Sequence, residues 1–214
     1  MSRPATLSVA QAPRGLPVPP MGQPSAKRYF DHRFNRHAVH VGAGEVYVSA
    51  APNEMIVTLL GSCVAACIHD RHSGIGGLNH FMLPDKGGDK IDGDMMRYGA
   101  YAMEKLINEM LKRGAAKNRL EFKVFGGAKM IGSTGSIGQR NVDFVERFLA
   151  LEHFAVDARH VGGMHARRVH FFPTTGTVKM KVIADANAVE LVREERQLAD
   201  GMDRVAVGGD AELF

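Results

Sequence analysis

The stretch Val57-Thr58-Leu59-Leu60-Gly61-Ser62-Cys63-Val64-Ala65-Ala66-Cys67-Ile68 decides how this chain folds. It contains two short apolar runs broken by Gly61-Ser62. Runs of this length bounded by turn residues read as buried strands, although a short buried helix gives the same pattern. The glycine boundary and the β-branched residues favour strands over 56–60 and 63–69, with Gly61-Ser62 as the bend between them. Gly74 to Gly77 then turn the chain into a third run over 78–83, Leu78-Asn79-His80-Phe81-Met82-Leu83, which Pro84 ends.

Outward from this block the pattern stays legible. On the N-terminal side, Val39 and Val41, then Val46 and Val48, flank Gly42-Ala43-Gly44 and read as a strand, a turn and a strand. On the C-terminal side, Met96, Ala100, Met103, Ile107, Met110 and Leu111 recur at helical spacing opposite Arg97, Glu104, Lys105, Glu109 and Lys112. That amphipathic stripe predicts a helix over 93–113, capped by Asp92 or Asp94 and ended by Gly114. Its methionines read as core packing. A strand over 120–125 runs into Gly126-Gly127. A second helix is expected from about 141, capped by the Asn141 side chain, with Val142, Val145, Phe148 and Leu149 as its buried stripe. A strand over 154–159 follows, then a hairpin of 169–172 and 177–183 through Pro173-Thr174-Thr175-Gly176. Strands, helix, strand, helix and strands in that order argue for a mixed sheet carrying helices, not a regular parallel βαβ array.

Composition narrows the function classes. The chain of 214 residues is 45% hydrophobic and 23% charged, which is ordinary for a globular protein. No apolar run approaches the roughly 20 residues of a membrane helix, so membrane insertion is not expected. The first thirty residues lack a secretory apolar core, which makes a cytoplasmic location the expectation. Residues 1 to about 26 hold Pro4, Pro13, Pro17, Pro19, Pro20 and Pro24 among Ser, Gln and Gly, a composition that cannot bury enough apolar surface to offset its ordering entropy. The chain accordingly divides into a disordered Pro-rich basic leader over 1–30, a globular domain over 38–192 and a tail over 193–214. Much of the formal charge of +4 comes from the leader region, where Arg3, Arg14, Lys27, Arg28, Arg33 and Arg36 face Asp31 alone. Such a diffuse excess does not make a nucleic-acid footprint.

Cys63 and Cys67 are four positions apart, on one strand face if both are in a strand, and no structural disulfide is expected in a reducing compartment. Cys67, between Ala66 and Ile68, reads as packing. Cys63 is different because Gly61-Ser62 lets the backbone bend, lets a reactant approach and frees N–H groups to face an oxyanion. His80 lies in the next apolar run. A thiol and an imidazole on neighbouring strands form a nucleophile and its base if they meet; each alone is equally a buried packing residue. Zinc is the sharper rival, with Cys63, Cys67, His69, His72 and His80 as donors, but the paired C-x2-C knuckle is missing.

These residues resemble a known family. Thr58-Leu59-Leu60-Gly61-Ser62-Cys63-Val64 and Asn79-His80-Phe81-Met82-Leu83-Pro84 are similar to the CheD family of chemoreceptor glutamine deamidases. So are Phe125-Gly126-Gly127-Ala128-Lys129-Met130, Ile137-Gly138-Gln139-Arg140-Asn141, and Gly162-Gly163 with Arg167 and the Thr175-Gly176 turn. The five blocks keep their order over about 39–183. The resemblance implies an α/β (α+β-like) sandwich, mixed β-sheet layers with two main helices packed on them, similar to toxin-type deamidases. It implies Cys63 as nucleophile, His80 as general base and Thr58 as the residue orienting the imidazole, although Thr58 reads as readily as strand packing. It implies oxyanion binding by the backbone near Gly61 and Ser62, and no cofactor or metal. The implied partners are the cytoplasmic domains of methyl-accepting chemoreceptors and a CheC-type phosphatase, with no nucleic acid and no membrane insertion. A cysteine peptidase or ester hydrolase, and a non-catalytic adaptor, remain alternatives.

Overall fold

The computed structural model describes residues 27–84, 93–130 and 137–183. They form strands β1 (Arg28–Asp31), β2 (Arg36–His40), β3 (Glu45–Ser49), β4 (Glu54–Leu60), β5 (Val64–Asp70) and β6 (Ile75–Phe81). Helix α1 (Gly93–Lys112), β7 (Leu120–Gly126), helix α2 (Ile137–Leu151), β8 (Val156–Val161), β9 (Ala166–Phe172) and β10 (Thr177–Ile183) follow. One sheet has the order β1-β2-β4-β9-β10 and the other β3-β6-β5-β7-β8. Each mixes antiparallel pairs with one parallel pair, β2 with β4 in the first and β7 with β8 in the second. This is the expected mixed-sheet α/β (α+β-like) sandwich with two helices. Among the described residues no helix is long and apolar enough to cross a membrane.

The second sheet is the middle layer. Val64, Ala66 and Ile68 of β5 turn to one face, where Ala102, Leu106, Met110, Phe144 and Val145 of the helices cover them. Ala65 and Cys67 turn to the other face, against Ile56, Leu60, Val169 and Phe171 of the first sheet. Covering on both faces explains why β5 reads as a continuous apolar run instead of an alternating one. The methionine stripe of α1 packs into the helix-side core as expected, and Gly114, with φ +104°, follows the helix end.

Four expectations are corrected. Residues 28–30 fall in the stretch read as leader, yet they belong to β1, which pairs with β2 through Arg28↔Val39. The strand expected over 63–69 begins at Val64, which leaves Cys63 in the bend before it, while the strands around Gly42-Ala43-Gly44 go to different sheets, β2 beside β4 and β3 beside β6. Gly76 and Gly77 are not a turn but lie inside β6. A Cβ on Gly76 would meet the Pro173 carbonyl oxygen at 2.4 Å, and one on Gly77 would meet Val48 Cγ2 at 2.7 Å, so close packing and not chain reversal demands glycine there. Finally, α2 begins at Ile137, so Asn141 is inside the helix and is not its cap. The cap expected of Asp92 or Asp94 falls on side chains outside the described residues.

Candidate active site

The site is built on the β4–β5 connection, Gly61-Ser62-Cys63, between the two sheets. All three main-chain carbonyls of this turn are held. Ala128 N donates to Gly61 O at 2.7 Å and Gly127 N to Cys63 O at 2.7 Å. Asn141 Nδ2 donates to Ser62 O at 2.9 Å, while its Oδ1 accepts from Leu83 N at 2.8 Å. Asn141 thus ties the cysteine turn to the segment that follows β6, which is why its side chain is unavailable for capping. Gly126, with φ +118°, lies so close to the turn that a Cβ there would sit 2.1 Å from Cys63 O. The buried Arg167 guanidinium reaches the Gly126 and Gly162 carbonyl oxygens and braces the same loop from β9. Burial pushes its pKa down from the usual arginine range. Gly126, Asn141 and Arg167 stood in the resemblance blocks, but nothing in the sequence showed what they hold.

His80 lies on β6 opposite Ala65. Cys63 stands in the bend two residues before Ala65, where the β5–β6 pairing ends at Val64↔Phe81, and it packs in the same inter-sheet cluster as Ala65. Thr58 comes from β4 in the opposite sheet. Its hydroxyl donates to Val41 O at 2.8 Å and lies 2.9 Å from His80 Nδ1. A hydroxyl has one proton, and a carbonyl can only accept it, so Nδ1–H must be the donor to Thr58 Oγ1. The neutral ring therefore carries its hydrogen on Nδ1 and its basic lone pair on Nε2. Thr58 and Cys63 have no solvent exposure and His80 only 3%.

Cys67 also faces the inter-sheet core, beside Leu78, and burial pushes its thiol far up, so it stays neutral. The zinc donors do not converge. His69 lies 3.4 Å from Glu121 Oε2, His72 follows β5 in a turn held by Asp70, and His80 contacts Thr58. Among the described residues no three His, Cys, Asp or Glu side chains group as a metal shell.

Cys63, His80 and Thr58 are thus all buried, Cys63 in the bend before β5, with the Thr58 hydroxyl against the His80 ring. A family model described as CheD chemotactic sensory transduction matches residues 82–182. A probable chemoreceptor glutamine deamidase CheD of Rhodopseudomonas palustris is 50% identical over 204 residues, covering 94% of this chain and 96% of that one. Its Caulobacter vibrioides counterpart is 51% identical over 176 residues, covering 82% and 92% respectively. A third, from Thiobacillus denitrificans, is 47% identical over 190 residues, covering 87% and 94%. The chain belongs to the CheD family. A solved Neisseria meningitidis protein of the DUF152 family model aligns over 55% of this chain and 51% of its own, at 10% identity and a TM-score of 0.34, too partial a likeness to argue from.

Proposed function

We propose that this chain is a protein-glutamine deamidase that converts glutamine side chains of chemoreceptors to glutamate, with Cys63 as nucleophile. Membership of the CheD family supports the reaction and the receptor substrate. The observation that carries the mechanism is the Val41–Thr58–His80 relay, because it turns the basic Nε2 edge of the imidazole away from Thr58.

The Cys63 thiol gives its proton to His80, and the sulfur attacks the carboxamide carbon to form a tetrahedral oxyanion. The N–H groups of the Gly61-Ser62-Cys63 turn hold that oxyanion, and the bound carbonyls of the same turn keep them aimed. Losing a single such donor typically costs about 10²–10³ in kcat. Collapse of the intermediate needs a proton on the departing nitrogen, which the His80 imidazolium supplies, so ammonia leaves and a thioester remains. Water deprotonated by His80 then attacks the thioester and releases glutamate and the thiol. The balance is carboxamide plus water giving carboxylate plus ammonium, with no cofactor. Hydrolysis of a methylated glutamate follows the same steps, so methylesterase activity is the second reading. The thiol is fully buried, so the substrate side chain must open a way to it.

The catalytic unit is the globular domain with β1 and β2 included, acting in the cytoplasm on the cytoplasmic part of the receptor. A CheC-type phosphatase is the expected protein partner, and the segments 1–26 and 193–214 stand outside the catalytic unit. The test is mass spectrometry of a receptor cytoplasmic domain incubated with the wild-type chain, Cys63→Ala and His80→Ala. Glutamine-to-glutamate conversion (a gain of one mass unit) by wild type alone is expected. Binding without conversion by the wild type would leave an adaptor, and conversion surviving Cys63→Ala would remove the nucleophile.

A further inference from the structure

Nothing in the sequence marks Tyr98 for a role in the site. It falls on α1 four residues before Ala102, on the face turned toward the sheet. That face is fixed over β6 by Asn79 Nδ2 donating to Ala102 O at 3.0 Å, and by Leu106 packing where a Cβ on Gly77 would meet it. The contacts Leu106–Gly77 and Ala102–Asn79 show that α1 runs antiparallel to β6. One more turn toward the helix start brings Tyr98 level with the end of β6, past His80, where Cys63 closes the adjoining turn. Helical side chains lean toward the N-terminus, which carries the phenol ring further over that end of the sheet. Tyr98 is 7% exposed. Burial first, then proximity to the Cys63 sulfur, pushes the phenol up to about 12. A phenol of that kind stays protonated throughout the working range and is therefore a permanent donor beside the nucleophile.

We propose that Tyr98 is a catalytic residue of the deamidation, its hydroxyl donating to the carboxamide oxygen of the bound glutamine and to the oxyanion formed when the Cys63 sulfur attacks. The assignment rests on the deamidase reading above. The hydroxyl adds a side-chain donor to the backbone donors of the Gly61-Ser62-Cys63 turn. It transfers no proton in the cycle: a donated hydrogen bond strengthens as charge builds on oxygen and relaxes when ammonia leaves.

The experiment compares the full chain with Tyr98→Phe, which removes one oxygen and keeps the ring. Conversion of a receptor cytoplasmic domain is followed by mass spectrometry, and the pH profile of iodoacetamide alkylation at Cys63 is measured in parallel. The expected result is a fall of about 100-fold in kcat with KM within a few-fold, and an unchanged alkylation profile. A kcat within threefold of wild type overturns the proposal. So does a kcat loss matched by a shifted alkylation profile, since Tyr98 would then act through the thiol and be a positioning residue. Should Tyr98→Phe fail to fold, 3-fluorotyrosine at position 98 changes the acidity of the phenol at nearly constant size. In that case a kcat that does not move overturns the proposal. Wild-type chain that alkylates at Cys63 yet converts no glutamine removes the deamidase reading and the Tyr98 role with it, whereas active wild type beside an equally active Tyr98→Phe removes the Tyr98 role alone.

Discussion

The two ends of β5 treat their buried groups in opposite ways. At the far end, the fully buried Asp70 carboxylate is saturated. Its Oδ1 accepts from Arg119 Nε and His72 N, each at 3.0 Å, and its Oδ2 accepts from Arg119 Nη2 at 2.7 Å and Ala116 N at 3.0 Å. At the near end, the clamps from Ala128, Gly127 and Asn141 act on main-chain carbonyls and not on the Cys63 sulfur. Saturation fixes a charge state and so serves the fold. Holding the main chain of the turn fixes the position of a side chain that, in the proposed mechanism, changes protonation in every turnover.

The largest expected effect comes from Gly126→Ala. A Cβ there meets the Cys63 carbonyl oxygen at a φ that side chains rarely adopt. Deamidation should fall at least about 100-fold, since small displacements of reacting groups cost that much. The melting temperature should drop with it. Full activity in this variant would break the claim that backbone placement governs the near end.

Thr58→Val keeps the shape of the side chain and removes the acceptor for His80 Nδ1–H. A fall in kcat of about 10- to 100-fold is expected, smaller than for an orienting carboxylate because Thr58 is neutral. Thr58→Ser should recover part of it. Equal activities for Val and Ser would reduce Thr58 to strand packing.

Asp70→Asn sharpens the contrast from the other end. It should lower the melting temperature by about 5 °C, given roughly 2–4 °C per kcal/mol for a chain of this size and a few kcal/mol for a broken buried pair. The kcat of the folded fraction should be unchanged. The hydrogen bonds from Arg119 and then from the Ala116, His72 and Ser73 N–H groups outweigh desolvation and hold the Asp70 carboxyl well below the usual carboxylate range. A group depressed in the folded state contributes its full stability above its unfolded value, about 3.9, and loses it as pH falls through the folded value. Melting curves between pH 7 and pH 2 should therefore fall less steeply for Asp70→Asn than for wild type. Parallel curves would show that Asp70 carries no such linkage.

The smallest effect is expected at Cys67. Both thiols are buried, but burial keeps the Cys67 thiol neutral whereas the proposed mechanism activates Cys63, so alkylation of the folded chain near pH 8 should label Cys63 much faster. Cys67→Ala should cost about 1 kcal/mol or less in stability and leave kcat intact. Labelling of Cys67 at a comparable rate would erase the distinction between the two cysteines.

Much of the site was legible because its chemistry clusters in local runs. The glycine-flanked Cys63 and the strand-borne His80 stand out against apolar neighbours, and the α1 stripe and the β9–β10 hairpin follow plain periodicities. Asn141 was misread for a physical reason. Asparagine is a favoured helix cap, and only the Ser62 and Leu83 main chain, brought alongside by folding, offers its amide a better use. Gly76 and Gly77 were misread likewise, since a glycine required by close packing looks in sequence like one required by a turn. Tyr98 gave no signal, because what lies beyond the end of β6 depends on how α1 is laid across it.

The sequence by itself determined most of the strands and both helices, and that a glycine-flanked thiol and a strand-borne imidazole fall in neighbouring apolar runs, because side-chain periodicity is a property of short windows. The tertiary structure alone decided that β2 and β3 part into different sheets, that the Thr58 hydroxyl donates a hydrogen bond to Val41 O and accepts one from His80 Nδ1–H, and that Asn141 clasps the cysteine turn. Those contacts join residues 17, 22 and 79 positions apart. No local pattern spans such separations, and only the packing of one sheet on the other and of α2 on β5 closes them.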